Sequence, residues 1–167
     1  MELDIKEQML ERILPTLQAK QESKKENQSA TMYEGINGIK TMYNEILSAL
    51  CKGEEYYVIA VEPEIYDYEN FGSFIINHHR RRAERGIKVK LLANACLRHK
   101  IANSIGRTRH TKIRYYSQYI PTATLIYRNN MASFVWSKNP MGFVIQSSTI
   151  AKRYRHFFDD VWNIAKS

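Results

Sequence analysis

From Tyr33 onward, the hydrophobic pattern divides the chain into helical and strand-like stretches. Residues 38–50 repeat apolar side chains at helical spacing, whereas residues 56–61 form a nearly continuous apolar run of strand length. Helical spacing returns over residues 70–85, and residues 87–93 again have the pattern of a strand. A strand, a helix and a strand in this order predict a parallel β-α-β unit with a right-handed crossover.

The second half of the chain predicts short strands followed by one long helix. We expect strands at residues 112–116, 122–128, 131–136 and 142–147. The pair Asn129 and Asn130 predicts a tight hairpin turn, because Asn tolerates the positive φ that such turns need. Ser148 or Thr149 is expected to cap the last helix. Together, these elements predict an α/β domain in which a mixed sheet is flanked by helices.

The first 28 residues are polar and carry sparse leucines. Three of these leucines recur every seven residues, at Leu3, Leu10 and Leu17. Such a stripe is typical of a helix that packs against another helix. We predict that residues 1–28 form a helical linker and dimerisation segment and that residues 31–167 form the main domain. Packing of the N-terminal helix on its own domain is the alternative.

Positive charge is concentrated in one region. The formal net charge is +8, and residues 78–116 hold twelve Arg and Lys against the single acid Glu84. This region is either a surface for phosphate-bearing partners or a solvated basic face. The candidate nucleic-acid contacts are Arg80, Arg81, Arg82, Arg85, Lys88, Lys90, Arg107, Arg109, Lys112 and Arg114. Because successive helical residues turn by about 100°, the three consecutive arginines cannot all face one way.

Other features limit the range of functions. The chain has no long apolar run and no basic, apolar leader at its start, so we expect neither a membrane partner nor secretion. The only cysteines, Cys51 and Cys96, lie far apart without metal-ligand spacing, which favours reduced thiols. We therefore expect a cytoplasmic protein that contains no metal and no cofactor.

Residues 121–139, PTATLIYRNNMASFVWSKN, have the spacing of a known catalytic motif. The stretch resembles the HxKx4Dx6GSxN strand and hairpin of the phospholipase D superfamily. In this alignment Thr122 takes the place of His, Thr124 of Lys, Asn129 of Asp and Trp136 of Gly, while Ser137 and Asn139 are retained. The resemblance implies a phospholipase-D-like fold, in which the His would be the nucleophile and the Lys would neutralise phosphate oxygens.

The replaced residues change the chemistry that this motif predicts. A Thr hydroxyl is not ionised near neutral pH without a base beside it, and neither Thr124 nor Asn129 supplies charge for a phosphoryl transition state. We therefore predict no catalytic residues, no phosphodiesterase activity and a protein that is not an enzyme. A literal HxK at His110 and Lys112 is interpreted as chance, because Ser117 stands at the Asp position and no GSxN follows.

The same positions could instead form a binding pocket at the strand ends. Its candidate residues are Thr122, Thr124, Asn129, Trp136, Ser137, Asn139, Glu62 and Asn94. Neutral hydroxyl and amide groups beside a Trp face suit a small polar effector, either a sugar or a nucleotide-like molecule. In the alternative interpretation, the two threonines are ordinary strand residues and Trp136 belongs to the core.

From about Leu14 onward, the chain resembles the phospholipase-D-like effector region of TrmB-type transcriptional regulators. The landmarks are LeuPro at 14–15, TyrGluGly at 33–35, the helix at 78–90, ThrLeuIleTyrArgAsn at 124–129 and PhePheAspAspValTrp at 157–162. The resemblance implies a winged-helix DNA-binding domain before a dimerising helix. No winged-helix pattern is present in this sequence, so we expect a fragment or a stand-alone sensor.

The resemblance leads to one predicted function and one alternative. We predict an effector-sensing and dimerisation domain of a TrmB-like regulator that acts as a homodimer. DNA would be contacted directly or through a winged-helix domain missing from this sequence. The alternative is a nucleic-acid-binding domain that uses the basic region at residues 78–116.

Overall fold

The computed structural model describes residues 28–61 and 71–166. The predicted N-terminal segment lies outside these residues except for Gln28, and so does Glu62. In chain order the elements are β1 (Ser29–Glu34), α1 (Gly35–Ala49), β2 (Glu55–Val61), α2 (Phe71–Glu84), β3 (Lys88–Asn94), a 3-10 turn (Ala95–Leu97), α3 (Arg98–Ala102), a second 3-10 turn (Ile105–Arg107), β4 (Thr111–Tyr116), β5 (Ala123–Tyr127), β6 (Asn130–Val135), β7 (Met141–Gln146) and α4 (Ser148–Ile164).

The described residues form a seven-stranded mixed sheet in the order β1-β7-β6-β5-β2-β3-β4. Strands β2, β3 and β4 run parallel, and the other pairings are antiparallel. The predicted mixed sheet with flanking helices is confirmed, and so is the parallel pairing of β2 with β3. Within the described ranges, no helix has the length and apolar character needed to cross a membrane.

Helices α1 and α2 cover one face of the sheet and bury its main apolar core. Met42 of α1, Leu91 of β3 and Leu125 of β5 are almost completely buried there. Helix α1 approaches β7 closely at Gly142, where an added Cβ would lie 2.9 Å from Ile39 Cδ1. The missing side chain at this position allows the helix to lie directly on the strand.

Helix α4 covers the middle of the opposite face. Phe158 is fully buried, and its ring centroid lies 5.1 Å from that of Tyr57 and 5.4 Å from that of Trp162. The helix is capped by Ser147, whose side chain accepts a hydrogen bond from the backbone N–H of Ile150. The cap therefore lies one residue before the predicted Ser148 or Thr149.

The structure also contains one strand that the sequence did not predict, and it places one turn differently. Strand β1 was not predicted, because its mostly exposed residues give no clear apolar alternation. The β5–β6 hairpin turns at Arg128 and Asn129 rather than at the predicted pair of asparagines. Arg128 adopts the positive φ of 48°, and its guanidinium is paired with the carboxylate of Glu54 at 2.7 Å.

Candidate functional site

A cavity of about 380 Å³ lies between α4 and the sheet beside the start of β5. Its walls combine apolar side chains with the hydroxyls of two threonines and one tyrosine and with one guanidinium. The lining residues are Ile59, Ile120, Pro121, Thr122, Thr124, Arg153, Tyr154 and Phe157. The sequence predicted only the two threonines of this set.

Thr122 and Thr124 reach this cavity because they are two residues apart, and alternate residues of a strand share one face. Thr124 is 3 % exposed and lies opposite Ser133 in the β5–β6 ladder. Ser133 Oγ donates a hydrogen bond to the carbonyl oxygen of Ala123 at 3.2 Å. Thr122 lies just before β5 and is half-buried. Thr122 and Thr124, which take the places of the motif's His and Lys, therefore line one cavity.

Trp136 packs mainly with aromatic side chains of the main core. Its ring centroid lies 4.8 Å from that of Phe71 and 5.4 Å from that of Phe134. It also lines a smaller cavity of about 160 Å³, which Thr122 shares. Trp136 is therefore part of the core, as in the alternative interpretation, and touches the candidate site only through this second cavity.

Four other predicted residues take local structural roles or lie elsewhere. Asn129 follows β5, at the opposite end of the strand from Thr122, and its carbonyl oxygen accepts from the Ser147 N–H at 2.9 Å. The Asn94 side chain accepts from the Cys96 N–H at 3.0 Å. Ser137 Oγ donates to the carbonyl oxygen of Asn139 at 2.7 Å. The predicted pocket residues are therefore not one cluster, and Glu62 lies outside the described residues.

Arg153 is the one charged residue among the described lining residues, and the sequence did not identify it as a site residue. It lies on α4 four residues before Phe157, so both side chains are on the same face of the helix. No motif includes Arg153, so the sequence alone does not single it out. Within the part of the chain that the structure describes, the residues that line this cavity include no acidic side chain. An exposed cation, three hydroxyls and an apolar wall can bind a small molecule that carries an anionic group.

The burial of Arg82 contradicts its predicted role in nucleic-acid contact. The residue is 0 % exposed, and its guanidinium donates to the carbonyl oxygens of Ile87, His110 and Arg109 and to Thr111 Oγ1. These bonds join the end of α2 to the starts of β3 and β4. Arg82 is therefore a structural residue.

Three other basic residues are also engaged within the domain. Arg85 donates to the carbonyl oxygens of Leu47 and Leu50 at 2.7 and 2.8 Å, at the end of α1. Lys90 lies 3.6 Å from the Glu55 carboxylate, and Arg114 donates to the carbonyl oxygen of Trp162. Arg85 is nevertheless exposed, and the other predicted contacts that are exposed are Arg80, Arg81, Lys88, Arg107, Arg109 and Lys112. Of these, Arg80 and Arg81 each donate to an asparagine side chain, Asn77 and Asn44 respectively.

Helix α2 also places two neutral histidines in the core. Burial, helped by the positive charges of Arg82 and Arg81, lowers the pKa of His78 to about 3. Burial likewise lowers the pKa of His79 well below its ordinary value, with smaller effects from His78 and Arg82. His78 Nε2 shares a hydrogen bond of 3.2 Å with the hydroxyl of Tyr56. Both histidines are buried, and neither is among the described residues that line the cavity at Thr124.

Comparisons with known proteins identify the fold. No family model and no curated protein matches the sequence. Among solved structures, the chain is similar to TrmBL2, described as an archaeal chromatin protein with a novel mode of DNA binding. The TM-score is 0.57 and the identity 17%, over 98% of this chain and 66% of TrmBL2. The chain thus spans just under two thirds of the length of TrmBL2.

Two further structures share the fold over nearly their whole length. Nuc from Salmonella typhimurium, a phospholipase D family member, is similar with a TM-score of 0.56 and 14% identity, over 84% of this chain and 97% of Nuc. NucT from Helicobacter pylori gives a TM-score of 0.63 and 13% identity, over 84% of this chain and 99% of NucT. The fold is therefore phospholipase-D-like, as predicted.

These similarities correct the prediction that the chain is not an enzyme. The prediction is wrong, because the same fold is found in Nuc, a member of a family that is named for an enzyme. The replacements at Thr122 and Thr124 describe the composition of one site. They do not set the fold apart from catalytic relatives.

Proposed function

We propose that this chain is a regulatory domain of the TrmB-like kind, whose phospholipase-D-like fold binds a small effector. The observation that carries the proposal is the cavity in which Thr122 and Thr124 meet Arg153. Its volume of about 380 Å³ lies within the range of pockets that hold small molecules. The similarity to TrmBL2 over 98% of this chain supports the proposal, because that protein combines this fold with DNA binding.

The chemistry of the cavity favours a nucleotide-like effector over a neutral sugar. Arg153 can pair with a phosphate through two parallel N–H donors. The ring of Phe157 is 46% exposed and offers a flat apolar surface to a base. Thr122 and Thr124 supply hydroxyls that can both donate and accept hydrogen bonds. Adenosine monophosphate is therefore the first probe, and glucose is the comparison.

The test is a calorimetric titration of the full chain with each probe. We expect adenosine monophosphate to bind more tightly than glucose. Arg153→Gln should weaken nucleotide binding about tenfold, the effect of losing a charged hydrogen bond. Lys152→Gln removes the same charge one residue away and does not line the cavity, so it should leave the affinity unchanged. Equal loss in both variants would contradict a site at Arg153.

Dimerisation belongs to the same proposal and depends on residues 1–28. Deleting this segment should leave a folded domain with weaker self-association, because the predicted leucine stripe would be absent. Light scattering of both chains measures this directly. An unchanged mass after the deletion would contradict the role of the segment. We propose that the dimer acts in the cytoplasm.

Direct nucleic-acid binding is the second candidate function. The observation that favours it is that Arg80, Arg107, Arg109 and Lys112 remain exposed after the internal contacts of the basic region are accounted for. Contact with phosphates alone would carry no sequence readout. The similarity to TrmBL2 is consistent with this function as well.

A further inference from the structure

The loop before β4 is held from inside the domain by Arg82. Its guanidinium lies 3.1 Å from the carbonyl oxygen of His110 and 3.3 Å from that of Arg109. His110 adopts a positive φ of 60°, a conformation that non-glycine residues rarely adopt without support. The carbonyl oxygens of Arg109 and His110 face inward and accept from Arg82. Both residues are nevertheless exposed. The buried cation therefore fixes the position of a basic loop.

This loop forms one wall of a groove of about 710 Å³. The other walls come from the second half of α2 and from the turn before β2. The lining residues are Lys52, Ile76, Arg80, Ala83, Glu84, Gly86, Thr108, Arg109 and His110. Lys52 lies outside the basic region that the sequence identified. The stem of Lys52 lies against Gly86, where an added Cβ would be 3.0 Å from Lys52 Cγ.

The groove is positively charged and separate from the cavity at Thr124. Among its described lining residues, Lys52, Arg80 and Arg109 carry three positive charges against the single carboxylate of Glu84. All four side chains belong to exposed residues, so a large ligand can reach them. The groove lies beside the starts of β3 and β4, whereas Thr124 is on β5 under α4. Among the described lining residues, the two sites share none.

We propose that this groove binds the phosphate backbone of a nucleic acid, a role that rests on the second candidate function above. Lys52, Arg80 and Arg109 contact the phosphates, and Arg82 is a positioning residue that holds the loop. Glu84 opposes binding, because its carboxylate lines the same groove and would repel a phosphate. Lys88 and Lys112 stand outside the groove and contribute only to the general positive field.

The test is fluorescence anisotropy of a labelled DNA duplex titrated with the full chain at several salt concentrations. The double variant Arg80→Gln with Arg109→Gln removes two charges from the groove. The control, Lys138→Gln with Lys152→Gln, removes two exposed charges elsewhere. We expect the groove variant to weaken binding at least tenfold and to reduce the slope of log K against log salt by about two. The control should keep most of the affinity and slope.

Glu84→Gln gives a test in the opposite direction, because it should tighten binding severalfold if the carboxylate faces phosphate. Circular dichroism confirms that each variant is folded. If the groove variant and the control lose affinity equally, the groove is not the site, although nucleic-acid binding stands. If the unmodified chain does not bind DNA at low salt, both the groove and the second candidate function are wrong.

Discussion

Arg82 Nη1 lies 2.6 Å from the carbonyl oxygen of Ile87, with both residues fully buried. This contact connects α2 to the beginning of β3, five residues later in the chain. The same guanidinium reaches the loop before β4, so one side chain joins three elements. A residue that the sequence assigned to the surface is thus a central contact of the fold.

Replacing Arg82 should destabilise the domain strongly. Arg82→Met keeps much of the aliphatic volume but removes the hydrogen bonds to three carbonyl oxygens, some of which would be buried without a partner. We expect a loss of about 3 kcal/mol or more in the free energy of unfolding. Urea denaturation followed by tryptophan fluorescence measures it. Arg81→Met, at the exposed neighbouring position, should cost under about 1 kcal/mol, and equal losses would contradict the structural role of Arg82.

The buried histidines should make the domain less stable in mild acid. Both are neutral in the folded state, whereas the unfolded chain protonates them near their ordinary pKa of about 6.5. Below that pH the unfolded state binds more protons, so stability falls as the pH is lowered towards about 3, the folded-state pKa of His78. From pH 7 to pH 5 the expected loss from His78 is roughly 2 kcal/mol, and His79 changes the stability in the same direction.

Urea unfolding at several pH values tests this dependence. His79→Leu should remove the contribution of one histidine, so that the free energy of unfolding depends less steeply on pH. His156→Gln, at a side chain that is 83% exposed, is the matched surface control. Keeping the pH at 5 or above limits the contribution of Glu54, whose pKa its hydrogen bonds with Arg128 lower to about 2. A profile that His79→Leu does not alter would contradict the neutral buried state.

The contact of α1 with β7 predicts a penalty for a single added methyl group. A Cβ at position 142 would lie 2.9 Å from Ile39 Cδ1 and 3.1 Å from Phe134 Cβ, so the helix or the strand must shift. Gly142→Ala should therefore lower the free energy of unfolding by about 1–3 kcal/mol. Met141→Ala, at the half-exposed neighbouring position, should have a small effect. Thermal unfolding of the two variants provides the comparison.

The sequence predicted the fold better than it predicted the site. Continuous apolar runs such as residues 56–61 mark strands covered on both faces, and the helical stripe around Ile39 marks α1 clearly. Strand β1 has no such signal, because it is an edge strand with mostly exposed residues. Its place in the sheet is set by pairing with β7, a contact between residues more than a hundred positions apart.

Only part of the site was predicted, because the spacing of a motif relates positions along one strand and says nothing about the elements that pack around it. Thr122 and Thr124 share a face through the two-residue period of β5. Arg153 enters their cavity from α4, which only the packing of that helix on the sheet can bring about. Asn129 was grouped with the threonines by spacing alone, and the length of β5 separates them. Charge counting also failed at Arg82, because composition does not distinguish a buried arginine from an exposed one.

The measurement that tests the central proposal most directly is a titration of isotope-labelled protein with adenosine monophosphate, followed by NMR chemical shifts. Binding in the cavity should shift the signals of Thr122, Thr124 and Arg153 together and saturate at one affinity. Thr124→Val should weaken that affinity about fivefold, whereas Thr41→Val on the exposed side of α1 should not. Shifts confined to Lys52, Arg80 and Arg109, or no saturable shifts, would contradict an effector site in this cavity.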